Sequence, residues 1–290
     1  MPVTIALTGV ITLGLGPAVP VDARGQVEPS PTAESDVTGP QVGEEQLPAA
    51  PEGAAIPGTS AEVPTQQQVA DYLAARVHEL DEFWTRYFTK VLKLQEPSVS
   101  FALITPEKGK YRSDCGNIEI AHDTPNAYYC TADILNPDTG YIGAVYLPVT
   151  TMRKMWTGDI FGDQDKRIGD FAAAVLTAHE FGHHIVDELR IQLSNETKTI
   201  GPPTGKWKEL VADCMAGIWV RSVYESGFLQ PGDFEEAVAA MEDIGDEQTA
   251  APDHHGTPQE RQQALLTGYL GVPEKYAPGR PLSCIEAYWH

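Results

Sequence analysis

Residues 169–189 read GDFAAAVLTAHEFGHHIVDEL, a helical pattern that carries His179-Glu180-Phe181-Gly182-His183. This is the HExxH spacing. On a helix, residues four apart share a face one turn apart, so both imidazoles can reach a single metal ion. Glu180 lies about 100° around the helix and can face a water beside that ion. Zinc acidifies such a water towards a pKa of ~7, where a carboxylate can take its proton. With 8 histidines in 290 residues, a chance HExxH is expected on the order of 0.02 times. Gly182, inside the motif, lets another element pack close.

A catalytic zinc takes a third protein ligand and keeps one position open. The extended HExxHxxGxxH pattern is absent, because Val186 stands where Gly is required and Leu189 where His is. A glutamate from a later helix is the alternative. Residues 207–219 read WKELVADCMAGIW, with Glu209 and Asp213 four apart and an apolar run around them. Glu209 would complete a His, His, Glu set, and Asp213 could hold a ligand imidazole by its free N–H. The competing reading of such a pair is a solvated helix face.

Around this centre, the pattern predicts a helix from an N-cap at Thr65 to about Leu94, with Val69, Leu73, Val77, Leu80, Trp84, Tyr87 and Val91 as its core stripe. Short strand-like runs follow at 98–104, 117–121, 127–130 and 141–147, then helices at about 149–156, 170–189, 206–225, 233–243 and 258–270. Helix, sheet, then helices reads as one α+β domain over 65–290. Residues 3–21 are uncharged and fit a signal peptide or clipped membrane anchor over 1–23, although no basic residue precedes Arg24. Residues 24–64, rich in proline, glycine and acids, read as a disordered linker.

The charge is lopsided: 41 acids face 20 bases, net −21. Residues 1–63 hold 8 acids and one base, leaving 33 acids and 19 bases in 64–290, so the folded part is itself acidic. No basic stripe is available for phosphates, which excludes nucleic acid as a partner, and anionic membrane surfaces are disfavoured too. Four cysteines, Cys115, Cys130, Cys214 and Cys284, match no cysteine-rich zinc module and allow three pairings.

The ordered set of motifs resembles the bacterial neutral zinc metallopeptidase family, a gluzincin-type group of exported or membrane-tethered proteins. The matching stretches are Ser113-Asp114-Cys115-Gly116, Tyr128-Tyr129-Cys130 with Asp133, Gly169-Asp170-Phe171, Ala178 through His184 and Glu209 through Trp219. Ile244-Gly245-Asp246 and His255-Gly256-Thr257 with Gln259 and Arg261 follow. The similarity spans about 70–271 and leaves the first 64 residues outside; Thr131, where proline is expected, departs from it in a loop. The resemblance implies a zincin-like α+β fold and one Zn²⁺ held by His179, His183 and Glu209. It also implies Glu180 as general base, Asp213 behind the ligands, and Cys115–Cys130 paired, which goes with Cys214–Cys284.

The resulting expectation is an exported zinc peptidase acting on peptide or protein substrates. The alternatives are a non-catalytic zinc-containing envelope protein and a metal hydrolase acting on a non-peptide amide. Peptide hydrolysis also needs a donor for the developing oxyanion. His255 is the first candidate, ahead of Tyr141 and Tyr146; its other reading is an anchor for the turn before helix 258–270. Arg261 reads as a structural partner of an acid, and His184, off the His179/His183 face, as a residue supporting the ligands from behind or a core residue.

Overall fold

The computed structural model describes residues 63–135, 138, 141, 143–161, 169–194, 199–249, 251, 254–272 and 275–290. The expected leader or anchor over 1–23 and nearly all of the 24–64 linker lie outside the described residues.

The Thr65 hydroxyl accepts from the Gln68 amide, and the Gln68 side chain returns a bond to the Thr65 backbone, starting α1 (Gln66–Arg86). Of the expected stripe, Val69, Leu73, Val77, Leu80 and Trp84 form its buried face, whereas Tyr87 is half-buried and Val91 is exposed, both lying in the wider turn that follows. One π-helical turn, Tyr87–Leu92, extends it, and Lys93 in the left-handed region (φ 59°) ends it before the predicted Leu94.

Five short strands follow: β1 (Ser100–Ile104), β2 (Tyr111–Ser113), β3 (Ile118–Ile120), β4 (Tyr128–Cys130) and β5 (Ala144–Pro148). The main sheet has the order β1-β5-β4, with β1 parallel and β4 antiparallel to β5. Every residue of β5 is buried, as suits a central strand with both faces covered. The sequence did not predict β2, whose three residues pair Tyr111 with Ile120 in a hairpin with β3. Its Tyr-Arg-Ser holds one strong strand former, against the alternating Ile-Glu-Ile of β3, and the strand exists through that partner.

The helices are α2 (Val149–Thr157), α3 (Asp170–Leu193), α4 (Lys206–Glu225), α5 (Asp233–Asp243), α6 (Pro258–Leu270) and α7 (Pro281–Tyr288). The sequence reading stops at α6 and misses α7, whose eight residues are too few to show a helical period. The expected start of α6 is a capping box of Thr257 with Glu260, behind Pro258.

Helix α3 is the pillar of the domain. It contacts α1, α2, α4, α5, β4 and β5, and Phe171 through Gly182 is buried without a break. A helix covered on every side must be apolar nearly all round, so the polar residues of HExxH stand out within it. Gly182 is the point of closest approach to α4: a Cβ there would lie 2.6 Å from the Ala212 carbonyl oxygen. Gly217 meets the Leu265 carbonyl and Gly268 meets that of Cys214 in the same way, so α4 and α6 also touch backbone to backbone. Two disulfides close the structure as the resemblance implies: Cys115–Cys130 joins the hairpin loop to β4, and Cys214–Cys284 joins α4 to α7. Among the described residues, no helix is long and apolar enough to cross a membrane.

Candidate metal centre

Because His179 and His183 are one turn apart on α3, their Nε2 atoms lie 3.2 Å from each other. The close α3–α4 crossing at Gly182 brings Glu209, in the first turn of α4, against the pair. Its Oε2 is 3.2 Å from His179 Nε2 and 3.5 Å from His183 Nε2. Helix α4 then returns one turn later with Asp213, whose Oδ1 lies 2.7 Å from His179 Nδ1. A carboxylate only accepts, so this contact places a proton on Nδ1 and makes Nε2, which faces Glu209 and His183, the nitrogen that a metal would take.

Asp213 is fully buried and is itself held. Arg261 of α6 forms a two-pronged pair with it, Nε to Oδ2 and Nη2 to Oδ1, both at 2.8 Å. The third arm of that guanidinium, Nη1, donates to the Ile244 carbonyl at 3.2 Å. Burial works against ionising Asp213, but Arg261 and His179 outweigh it and hold its carboxyl low. Burial likewise opposes a charge on His179, yet Asp213 and Glu209 raise its pKa to about 9. The place where the three donors converge is therefore one of negative potential. Glu180 is only 5% exposed; burial raises its pKa, and His179 and His183 partly offset that rise.

These atoms open on a cavity of about 450 Å³. Leu176, Val186, Pro202 and Pro203 give it apolar wall, and Tyr128 and Tyr129 add aromatic wall from β4. Lys208, Asp187 and His255 give it polar edges. The donor set also fits zinc. Two imidazole nitrogens and one carboxylate oxygen converge with all ligand atoms within 4.8 Å of one another. That is the composition of a hydrolytic zinc site.

A family model described as "Putative neutral zinc metallopeptidase" matches residues 35–271. The chain belongs to that family. The match begins inside the segment that composition reads as linker and ends just past α6. The chain is 28% identical to the uncharacterized protein YpfJ of Escherichia coli K12 over 222 residues, 71% of this chain and 69% of that protein. It is 27% identical to the uncharacterized protein Rv2575 of Mycobacterium tuberculosis H37Rv over 181 residues, 56% of each. No solved structure matches.

Within this member of the metallopeptidase family, the remaining candidates separate clearly. The His255 imidazole lies at the cavity while its backbone N–H donates to Asp246 Oδ2 at 2.8 Å, so the residue does anchor its turn; the cap of α6 belongs to Thr257. Tyr146 is displaced from the role considered for it. It is 1% exposed in a small second core and donates to Asp133 Oδ2 at 2.7 Å, and neither it nor Tyr141 lines the cavity. His184 is a buried core residue, bonded through Nε2 to the Pro97 carbonyl, and burial lowers its pKa to about 4. Sequence reasoning missed Tyr129. Its ring lies parallel to that of His183 at 6.5 Å, and its hydroxyl is 3.3 Å from both His184 Nδ1 and Asp187 Oδ2. A signal existed for Asp187, four residues beyond His183 and on the same helix face. For Tyr129 the signal was its place in the Tyr128-Tyr129-Cys130 stretch of the resemblance; that it reaches α3 follows only from the fold.

Proposed function

We propose that this protein is a zinc-dependent peptidase with a zincin-like α+β fold, in which His179, His183 and Glu209 hold one Zn²⁺. The observation that carries the reading is the convergence of those three side chains beside a buried Glu180 at the floor of one cavity. Zinc, when bound, supplies the positive charge that acidifies water and polarises a peptide carbonyl.

Glu180 is the general base and then the acid. Its raised pKa brings a carboxylate closer to the proton affinity that transfer at neutral pH requires. It accepts a proton from the attacking water and delivers it to the departing amine nitrogen. Asp213 keeps His179 in the tautomer whose Nε2 has a free lone pair, and Arg261 keeps Asp213 ionised. His255 is the candidate hydrogen-bond donor to the carbonyl oxygen as charge develops there. The two disulfides support an extracytoplasmic location, since such bonds persist in oxidising compartments. An export signal or anchor over 1–23 is part of this proposal, as is a peptide or protein substrate.

The test is peptide hydrolysis and zinc content of purified protein beside Glu180→Gln. The expected result is stoichiometric zinc in both, with turnover lower by about a hundredfold or more in the variant, the usual share of general acid–base catalysis. Equal turnover would sink the mechanism. Zinc without turnover on any peptide would favour a non-catalytic envelope protein, and turnover restricted to other amides would move the substrate class.

A further inference from the structure

Part of the cavity wall is Pro202-Pro203, in the segment leading into α4. Neither proline has an N–H, so this stretch cannot be tied down by its own donors. Its flanking residues are tied instead. The Trp289 indole Nε1–H donates to the Gly201 carbonyl at 2.9 Å, and the Thr204 N–H donates to the His290 carbonyl at 2.9 Å. The His290 ring stands edge-on to Trp207, with centroids 4.8 Å apart. Behind them, α7 is joined to α4 by Cys214–Cys284 and to α6 by a 3.0 Å bond between Thr267 Oγ1 and the Tyr288 hydroxyl. All of α7 and the two residues after it lie beyond residue 271, where the family match ends.

We propose that Trp289 and His290 are specificity-determining residues: as a strap they fix the Pro202-Pro203 wall and so decide which substrate side chains the cavity admits. The proposal rests on the peptidase reading of the site. Each pyrrolidine ring already fixes φ. With both flanks pinned, the pair presents its apolar faces in one arrangement. Together with Leu176, Val186 and the rings of Tyr128 and Tyr129, that wall suits an apolar or aromatic side chain near the scissile bond. Without the strap, binding must also order the wall, and affinity falls by that cost. The loss is confined to ligands long enough to touch the wall.

The experiment uses the zinc-loaded full chain and the variants Trp289→Phe, which removes the Nε1–H donor but keeps an aromatic ring, and Trp289→Ala, which removes both. Three readouts are compared: amide exchange over 199–207, affinity for a dipeptide hydroxamate bearing a phenylalanine side chain, and affinity for acetohydroxamate, which is too small to reach the wall. In Trp289→Ala the expected result is exchange at Thr204 faster by about tenfold, as local opening grows easier. Dipeptide hydroxamate affinity falls by about tenfold as well, with acetohydroxamate affinity and zinc content unchanged. Trp289→Phe falls between. Peptide KM rises while kcat stays near its starting value. An unchanged dipeptide affinity overturns the proposal, and so does a parallel loss for both hydroxamates, which would place the effect at the metal. Absence of turnover in the unmutated protein would defeat the peptidase reading alone, because the exchange rates and the hydroxamate ratio still decide the strap.

Discussion

Asp213 shows how much one residue carries. Its carboxylate serves two partners, the imidazole that needs a fixed tautomer and the guanidinium of a buried arginine. Asp213→Asn keeps the shape but removes the charge. Zinc affinity should fall about 10- to 100-fold, the usual cost of losing a ligand's supporting partner. Stability should fall by up to about 3–5 kcal/mol, because Arg261 is left as an uncompensated buried charge. Chelator competition and chemical denaturation measure the two effects, and an unaltered zinc affinity would refute the role. Asp213 and Glu209 were legible in the sequence because helix geometry alone relates them to each other. Arg261 was legible only as a residue in want of an acid. That the acid is Asp213 depends on α4 and α6 meeting at glycines, which no local pattern encodes.

At the scale of elements, the N-terminus of α3 is held by carboxylates. Glu236 of α5 accepts from the Phe171 N–H at 3.1 Å, and its oxygens lie within 4.8 Å of those of Asp170 and Asp233. From α1, Tyr72 and Arg76 face the same group. Burial, with mutual repulsion added, raises Asp170 to about 6 and Glu236 to about 7, and burial raises Asp233 as well. Unfolded carboxyls titrate near ~4, so between there and neutrality the folded state holds protons that the unfolded state has lost. Their stabilising contribution is complete below the unfolded pKa and disappears as pH rises through about 6 to 7. Melting temperature should therefore decline from pH 5 to pH 8 less steeply in Glu236→Gln, whose amide oxygen can still accept from Phe171, than in the parent. Parallel curves would refute the assignment. The same scale shows where reading by pattern succeeds. Helices long enough for several turns are legible to within a few residues, whereas β2, with Tyr111 as its one strong strand former, and α7, too short to show a helical period, depend on partners elsewhere. At Gly182, a change to Ala pushes a Cβ into the Ala212 carbonyl. Parting α3 from α4 should cost about 1–3 kcal/mol, as overpacking does, and should weaken zinc binding together with stability; a variant that lost neither would show the crossing to be adaptable.

For the whole molecule, the bond between Cys214 and Cys284 spans 70 residues of chain and ties the helix of Glu209 to the strap. In the chain-entropy account, closing a loop of that length stabilises by about 4 kcal/mol. Cys284→Ser should lower the denaturation free energy by an amount of that order and leave zinc stoichiometry intact in the folded fraction, as read by denaturant titration and metal analysis. A loss of zinc before unfolding would show instead that α7 holds Glu209 in place.

The contacts at Gly182, Gly217 and Gly268 have a mechanical side. Protein interiors yield mainly where side chains can shift rotamer, and two backbones in van der Waals contact leave almost nothing to compress. The separation between the imidazoles of α3 and the carboxylate of α4 is thus set by rigid spacers. Under hydrostatic pressure the looser, side-chain-filled layers around the three helices should deform first, and the donor atoms should be the last part of the domain to move.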